Sequence, residues 1–174
     1  MKFDIRRSLG FVILNPESDP TALRITMRTI GEHYPECGAL CVLGKKVDVP
    51  ENRRYADLVQ GGNTITSLID AGLKNSKTDW CFVLVAGTYL RSYSLRKYEY
   101  FCRSDKDILY PVVDRKYAFD EATVNGILMP KKAVQEVGPF GDNNHSIQLV
   151  KMLWALQALN KNYKFKALVG ARLI

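Results

Sequence analysis

Several absences bound what this chain can be. No stretch approaches the ~20 consecutive apolar residues that a membrane-spanning helix needs. The opening Met1-Lys-Phe-Asp-Ile-Arg-Arg7 lacks the apolar core of a secretion signal. Cysteine is sparse: Cys37, Cys41, Cys81 and Cys102 include no Cys-x-x-Cys pair, and Cys81 falls inside an apolar run. They read as reduced, mostly buried thiols of a cytoplasmic protein. Histidine is scarcer, and neither His33 nor His145 has metal-ligand spacing, which argues against zinc. Internal repeats, low-complexity tracts and linkers are missing too. Residues 1–174 therefore read as one α/β domain, long enough to bury roughly 70% of its unfolded surface.

What is there is basic, with a net charge of +7. Much of the charge is scattered as pairs: Arg6-Arg7, Lys45-Lys46, Arg53-Arg54 and Lys131-Lys132. The densest region sets Arg91, Arg96, Lys97 and Arg103 among Tyr89, Tyr93, Tyr98, Tyr100 and Phe101. Such interleaving suits a polynucleotide, whose phosphates and bases it would neutralise and stack. It also suits a helix with a solvated basic face and an aromatic packing face, or a rim that attracts a phosphorylated small molecule.

Apolar periodicity orders the rest. Gly10 to Asn15 reads as a buried strand, and Asp19-Pro20 starts a helix over 20–33, with Leu23, Met27 and Ile30 at helical spacing. Ala39 to Leu43 is a second strand, so the opening predicts a parallel crossover. Residues 44–60 read as irregular. Gly61-Gly62-Asn63 introduces a helix bearing Ile65, Leu68, Ile69 and Leu73. Trp80 to Val85 is an unbroken apolar strand, as in a sheet covered on both faces. Asp107 to Val113 is another strand, and Pro111 suggests an edge or bulge. Asp114 to Thr123 reads as a charged loop. Then follow a strand over 125–129, a short helix over 130–137, a helix over 145–160 that is apolar almost all round, which implies burial, and a last strand over 164–168.

In open α/β sheets, ligands sit at the carboxyl ends of the strands. Ala86, Gly87 and Thr88, just after the apolar strand, are thus a candidate site floor, and that floor carries no carboxylate.

The order of segments resembles the A-type glycosyltransferase fold, and within it the family 2 inverting transferases that use nucleotide-diphosphate sugars. One part of the likeness is the strand ending at Asn15, its capped helix and the second strand. A second is Gly62-Asn63, the helix with Asp70-Ala71-Gly72-Leu73, and Asp79-Trp80 leading into the apolar strand. A third is Asn125-Gly126-Ile127-Leu128-Met129, a basic pair, and Glu136-Val137-Gly138-Pro139-Phe140-Gly141-Asp142. The resemblance implies a three-layer α/β/α fold with a mostly parallel sheet. It implies a nucleotide-sugar donor held by Asn15, Gly62, Asn63, Asp70, Ala86, Gly87 and Thr88. A hydroxyl acceptor would lie beside Asn125 and Gly126, with Asp142 as its base.

The departures fall on the chemistry. That family carries Asp-x-Asp where this chain has Val85-Ala86-Gly87-Thr88, so the carboxylates that would hold a divalent cation are missing. Its base-reading aspartate is replaced by Gly44-Lys45-Lys46, with Asp48 nearby. Its Glu-Asp pair is replaced by Asn143-Asn144-His145. Lys45, Lys46 or Arg91 would then have to stabilise a leaving diphosphate. Asn15 reads equally as a turn residue and Gly62-Asn63 as a helix cap, while Asp114 and Asp120 are loop carboxylates that could face the cleft. The same residues also fit a non-catalytic module that holds a nucleotide, a glycan or a protein partner.

Overall fold

The computed structural model describes residues 8–44, 56–112, 124–141, 147–169 and 171. The chain begins with β1 (Leu9–Asn15), buried along its whole length. Helix α1 (Pro20–His33) starts where Asp19 Oδ1 accepts the Thr21 N–H at 2.8 Å and Pro20 takes the first turn. Next come β2 (Gly38–Leu43), β3 (Asp57–Gln60), α2 (Ile65–Asn75) and β4 (Trp80–Val85). They are followed by α3 (Arg96–Phe101), β5 (Asp107–Val112), β6 (Ile127–Pro130), α4 (Lys131–Val137), α5 (Ile147–Asn160) and β7 (Lys164–Val169).

The seven strands form one sheet in the order β3-β2-β1-β4-β6-β5-β7. Only β6 runs against its neighbours, pairing Val83 with Ile127 and Leu109 with Leu128. The sheet is therefore mostly parallel, the expected architecture. Successive residues of the central strands point to opposite faces, so each face needs its own cover. Phe11, Ile13, Phe82 and Leu84 pack with Leu23 and Ile30 of α1 and Tyr98 of α3. Val12, Leu14, Cys81 and Val83 pack with Leu68 and Ile69 of α2 and Trp154 of α5. That two-sided cover is why 80–85 shows no polar alternation. No helix among the described residues is long and apolar enough to cross a membrane.

The four cysteines are free thiols, and only Cys37 is partly exposed. Burial pushes Cys41 and Cys102 each up to about 12, so both are poor nucleophiles.

Four expectations change. Residues 57–60, read as irregular, form the edge strand β3, paired in parallel with β2. Pro111 lies in an interior strand: β5 pairs with β7 along its length, but its ladder with β6 holds only Leu109↔Leu128. The proline thus comes after that ladder has ended, where a missing N–H is cheap. The helix over 145–160 is buried on one side only. Trp154 and Ala158 face the sheet, whereas Leu153, Leu156 and Leu159 are about half exposed. The basic aromatic region is helical only over six residues at 96–101, preceded by a short loop and a turn over 92–95.

Two glycines make opposite predictions. A Cβ on Gly72 of α2 would lie 2.3 Å from Cγ1 of the fully buried Val12, so Gly72 lets the helix sit close on β1. Overpacking there costs about 2–3 kcal/mol and outweighs the ~1 kcal/mol that alanine gains in a helix. A Cβ on Gly31 of α1 meets nothing within 4 Å. Gly72→Ala should lower the melting temperature by a few degrees and Gly31→Ala should raise it slightly. Thermal melts of the two variants side by side check both signs.

Candidate functional site

The chain lays β1, β2 and β3 to one side and then returns to place β4 on the other side of β1. A crevice outside the carboxyl ends of β1 and β4 is where such sheets take ligands. Because β6 is antiparallel, its entry residues Asn125 and Gly126 arrive at this same edge, where the Gly126 N–H donates to Val83 O at 2.7 Å. Residues expected on the donor side (Asn15, Ala86, Gly87, Thr88) and on the acceptor side (Asn125, Gly126) are thus gathered along one rim.

Asn125 joins the two halves. Its Oδ1 accepts the Val85 N–H at 3.0 Å and lies 3.1 Å from Thr88 Oγ1, which itself donates to Val85 O at 2.6 Å. Gly87 has φ +97°, the left-handed region that glycine enters without strain. The amides of this turn are already used. Ala86 N–H donates to Leu14 O at 2.8 Å, Gly87 N–H to Ala22 O at 3.0 Å, and Thr88 N–H to Val85 O at 3.1 Å. Only Ala86 and Gly87 open to solvent, Thr88 being buried. The turn offers a small, flat floor and no nest of free N–H donors.

Asn15 is 1% exposed and faces its own loop. Its amide donates to Asp19 O at 3.0 Å and accepts the Asp19 N–H at 3.0 Å, closing the turn into α1. Gly62 and Asn63 lie on the rim beyond β3. The cap of α2 is the next residue, Thr64, whose Oγ1 accepts the Ser67 N–H at 3.2 Å while Ser67 Oγ accepts the Thr64 N–H at 3.1 Å.

Asp70 sits away from the rim, in the middle of α2. Its two carboxylate oxygens accept the N–H groups of Phe140 at 2.8 Å and Gly141 at 2.9 Å. Phe140 also stacks on Trp154 with ring centroids 4.4 Å apart, and Trp154 Nε1 donates to Gly138 O at 2.8 Å. The approach to Asp142 is therefore held from two helices. Asp142 itself lies outside the described residues, as do Lys45, Lys46, Asp48, Asp114, Asp120 and His145. Among the described residues, no three His, Cys, Asp or Glu side chains converge.

Sequence reasoning missed the groups that hold the rim. Thr26 Oγ1 donates to Thr88 O at 3.0 Å, and Thr29 Oγ1 accepts the Leu90 N–H at 3.2 Å. Tyr34 Oη donates to Arg91 O at 2.7 Å. The signal was a polar pair, three residues apart, on the otherwise apolar face of α1 that carries Leu23 and Ile30.

Two concavities lie off the rim. An apolar one of about 30 Å³ sits beneath Phe140 and Trp154, against Val83 and Ile127. A wider one of about 370 Å³ opens at the opposite, amino edge, between Gly10, Gly38, Asp57 and Lys77. Neither is at the switch point, and the strand geometry is the firmer guide to the ligand edge.

Known structures share this fold. S. aureus TarS 1-349 aligns over 91% of this chain and 58% of its own, with TM-score 0.58 and 11% identity. The bifunctional IspDF of Campylobacter jejuni aligns over 95% and 51%, with TM-score 0.63 and 12% identity. The 2-C-methyl-D-erythritol 4-phosphate cytidylyltransferase of Thermus thermophilus aligns over 91% and 87%, with TM-score 0.57 and 14% identity. What these structures share with the chain is the fold, a mostly parallel seven-stranded sheet with flanking helices. This chain spans little more than half the length of the first two neighbours. No protein-family model matches it, and neither does any curated protein sequence.

Within that fold the Asn125 clasp gives a local prediction. Asn125→Ala leaves the Val85 N–H without its acceptor, at a cost of about 1–3 kcal/mol. Asn125→Asp keeps an oxygen there and should recover much of the loss. Amide exchange at Val85 should accelerate in the alanine variant and return toward the wild-type rate in the aspartate variant.

Proposed function

We propose that the rim binds a nucleoside-diphosphate sugar and that the chain transfers the sugar to a hydroxyl acceptor. The observation that carries this reading is the convergence of the β1 end, the β4 turn and Asn125 at the switch point of a nucleotide-diphospho-sugar transferase-type fold. The cytidylyltransferase neighbour supports a nucleotide as the common part of the substrate. The finer assignment, an inverting transferase of family 2, rests on the motifs around Asn15, Gly62-Asn63 and Glu136 to Asp142.

In this reading the donor lies across Ala86 and Gly87, where the absence of side-chain bulk lets it approach the backbone. Gly62 and Asn63 line the neighbouring rim. Asn15 acts through the turn that it closes, and Asp70 is a positioning residue that fixes Phe140 and Gly141 ahead of Asp142. Asp142 takes the proton of the acceptor hydroxyl. The freed oxygen attacks the anomeric carbon, and the bond to the diphosphate breaks with its electron pair leaving on the nucleoside diphosphate. Lys45, Lys46 or Arg91 meets the charge that develops on this leaving group.

A second reading is a non-catalytic module of the same fold. What favours it is specific: Val85-Ala86-Gly87-Thr88 carries no carboxylate where family 2 members carry Asp-x-Asp.

A thermal-shift screen of nucleotide-diphosphate sugars, with and without manganese, separates the readings. A working donor site should raise the midpoint by several degrees, and manganese should add nothing. Asp142→Asn should keep the shift while turnover falls about 10²-fold or more. Unchanged turnover would remove Asp142 as the base. No shift with any donor would favour the module.

A further inference from the structure

Among the described residues, every exposed large aromatic side chain lies in the single stretch that follows the β4 turn. Tyr89, Tyr93, Tyr100 and Phe101 are 41%, 51%, 65% and 45% exposed. The transfer chemistry above uses none of these rings. Exposed aromatics gathered on one face of a folded chain mark a contact surface.

The same stretch is basic. Arg91, Arg96, Lys97 and Arg103 are all exposed, and Glu99, partly covered, is the only carboxylate from 89 to 103. Rings and cations are paired in space. The Arg103 guanidinium carbon sits 4.8 Å from the centre of the Tyr100 ring, and that of Arg91 sits 5.9 Å from the Tyr93 ring. Tyr100 and Phe101 meet edge to face at 5.1 Å.

The backbone that presents these side chains is fixed. Thr29 of α1 and Tyr34, which caps its end, hold Leu90 and Arg91, Lys97 Nζ donates to Val169 O at 2.8 Å, and Lys166 Nζ donates to Phe101 O at 2.9 Å. The strip starts at the carboxyl edge beside Thr88 and follows α3 along the strands β5 and β7. A six-residue strand such as β5 extends ~20 Å, room for a few nucleotides.

We propose that this strip binds single-stranded nucleic acid. A single strand offers one flat base and one phosphate per repeat, matching rings and cations placed side by side, and stacking on such rings tolerates any base. A duplex keeps its base faces hidden. A membrane surface fits less well: an interfacial helix needs an apolar face, and α3 has only six residues, of which Arg96 and Lys97 are charged and exposed. The α1–α3 face that carries the strip is opposite the α2–α4 face that carries Asp70 and Gly141, and Arg91 alone is shared with the transfer reading, so the substitutions below leave it unchanged.

The test is fluorescence anisotropy with the full chain and a labelled single-stranded RNA of about twelve nucleotides. Binding should weaken roughly 50-fold between about 50 and 200 mM salt if four phosphates are neutralised. Tyr100→Ala with Phe101→Ala should weaken it about tenfold or more while the salt dependence stays. Arg96→Gln with Arg103→Gln should flatten the salt dependence. These side chains are exposed, so the variants should melt as the wild type does, and Tyr93→Ala provides an independent aromatic test. Four results would overturn the proposal: no binding at low salt; aromatic variants that bind like wild type, leaving only diffuse attraction to a +7 chain; equal affinity for a duplex of the same length; or ring-dependent binding to anionic vesicles or an acidic glycan that exceeds binding to the RNA. The donor-induced thermal shift should be the same in all these variants.

Discussion

The constraint on which the rest depends is that β1 and β4 are covered on both faces and flanked on both sides. A strand in that position can carry no polar side chain along its length without burying it unpaired. Polar groups are therefore displaced to the strand ends, and the parallel register aligning Leu14 with Val85 brings two such ends together. The antiparallel β6 adds a third polar group, Asn125, from the opposite direction. What the rim can do chemically is in this sense a by-product of what the core forbids.

The rim is also a place where the protein has bonded mostly to itself. The carboxamide of Asn15, the amides of 86 to 88 and the oxygen of Asn125 each have partners within the chain. This favours preorganisation: a turn held by so many short-range and long-range bonds loses little freedom when a ligand arrives. In the proposed reading it also divides labour: the turn and its partners shape the rim, and the charge is assigned to Asp142 and to Lys45, Lys46 or Arg91.

Much of the fold was legible because its causes are local. Asp19-Pro20 starts α1 by capping, and the unbroken run from Trp80 to Val85 reports two-sided cover without reference to any other segment. Elements escaped notice where the cause is distant or weak. Strand β3 has four residues and a partner on one side only, so Asp57-Leu-Val-Gln60 shows no period worth the name. The open side of α5 could not be inferred from a helix apolar almost all round, since its leucines outnumber the positions that the sheet covers. At the candidate site, sequence pointed to the edge where Asn15, Ala86 to Thr88 and Asn125 converge, while bonds that hold this region together join residues far apart in the chain, such as Asn125 with Val85 and Thr26 with Thr88. Thr26 and Thr29 were visible only as an oddity on an apolar helix face.

The saturated amides of the β4 turn have a consequence for selectivity. With the N–H groups of 86 to 88 already bonded within the chain, this floor has no backbone donor left to give, so any polar recognition above it has to come from side chains brought in from elsewhere on the rim.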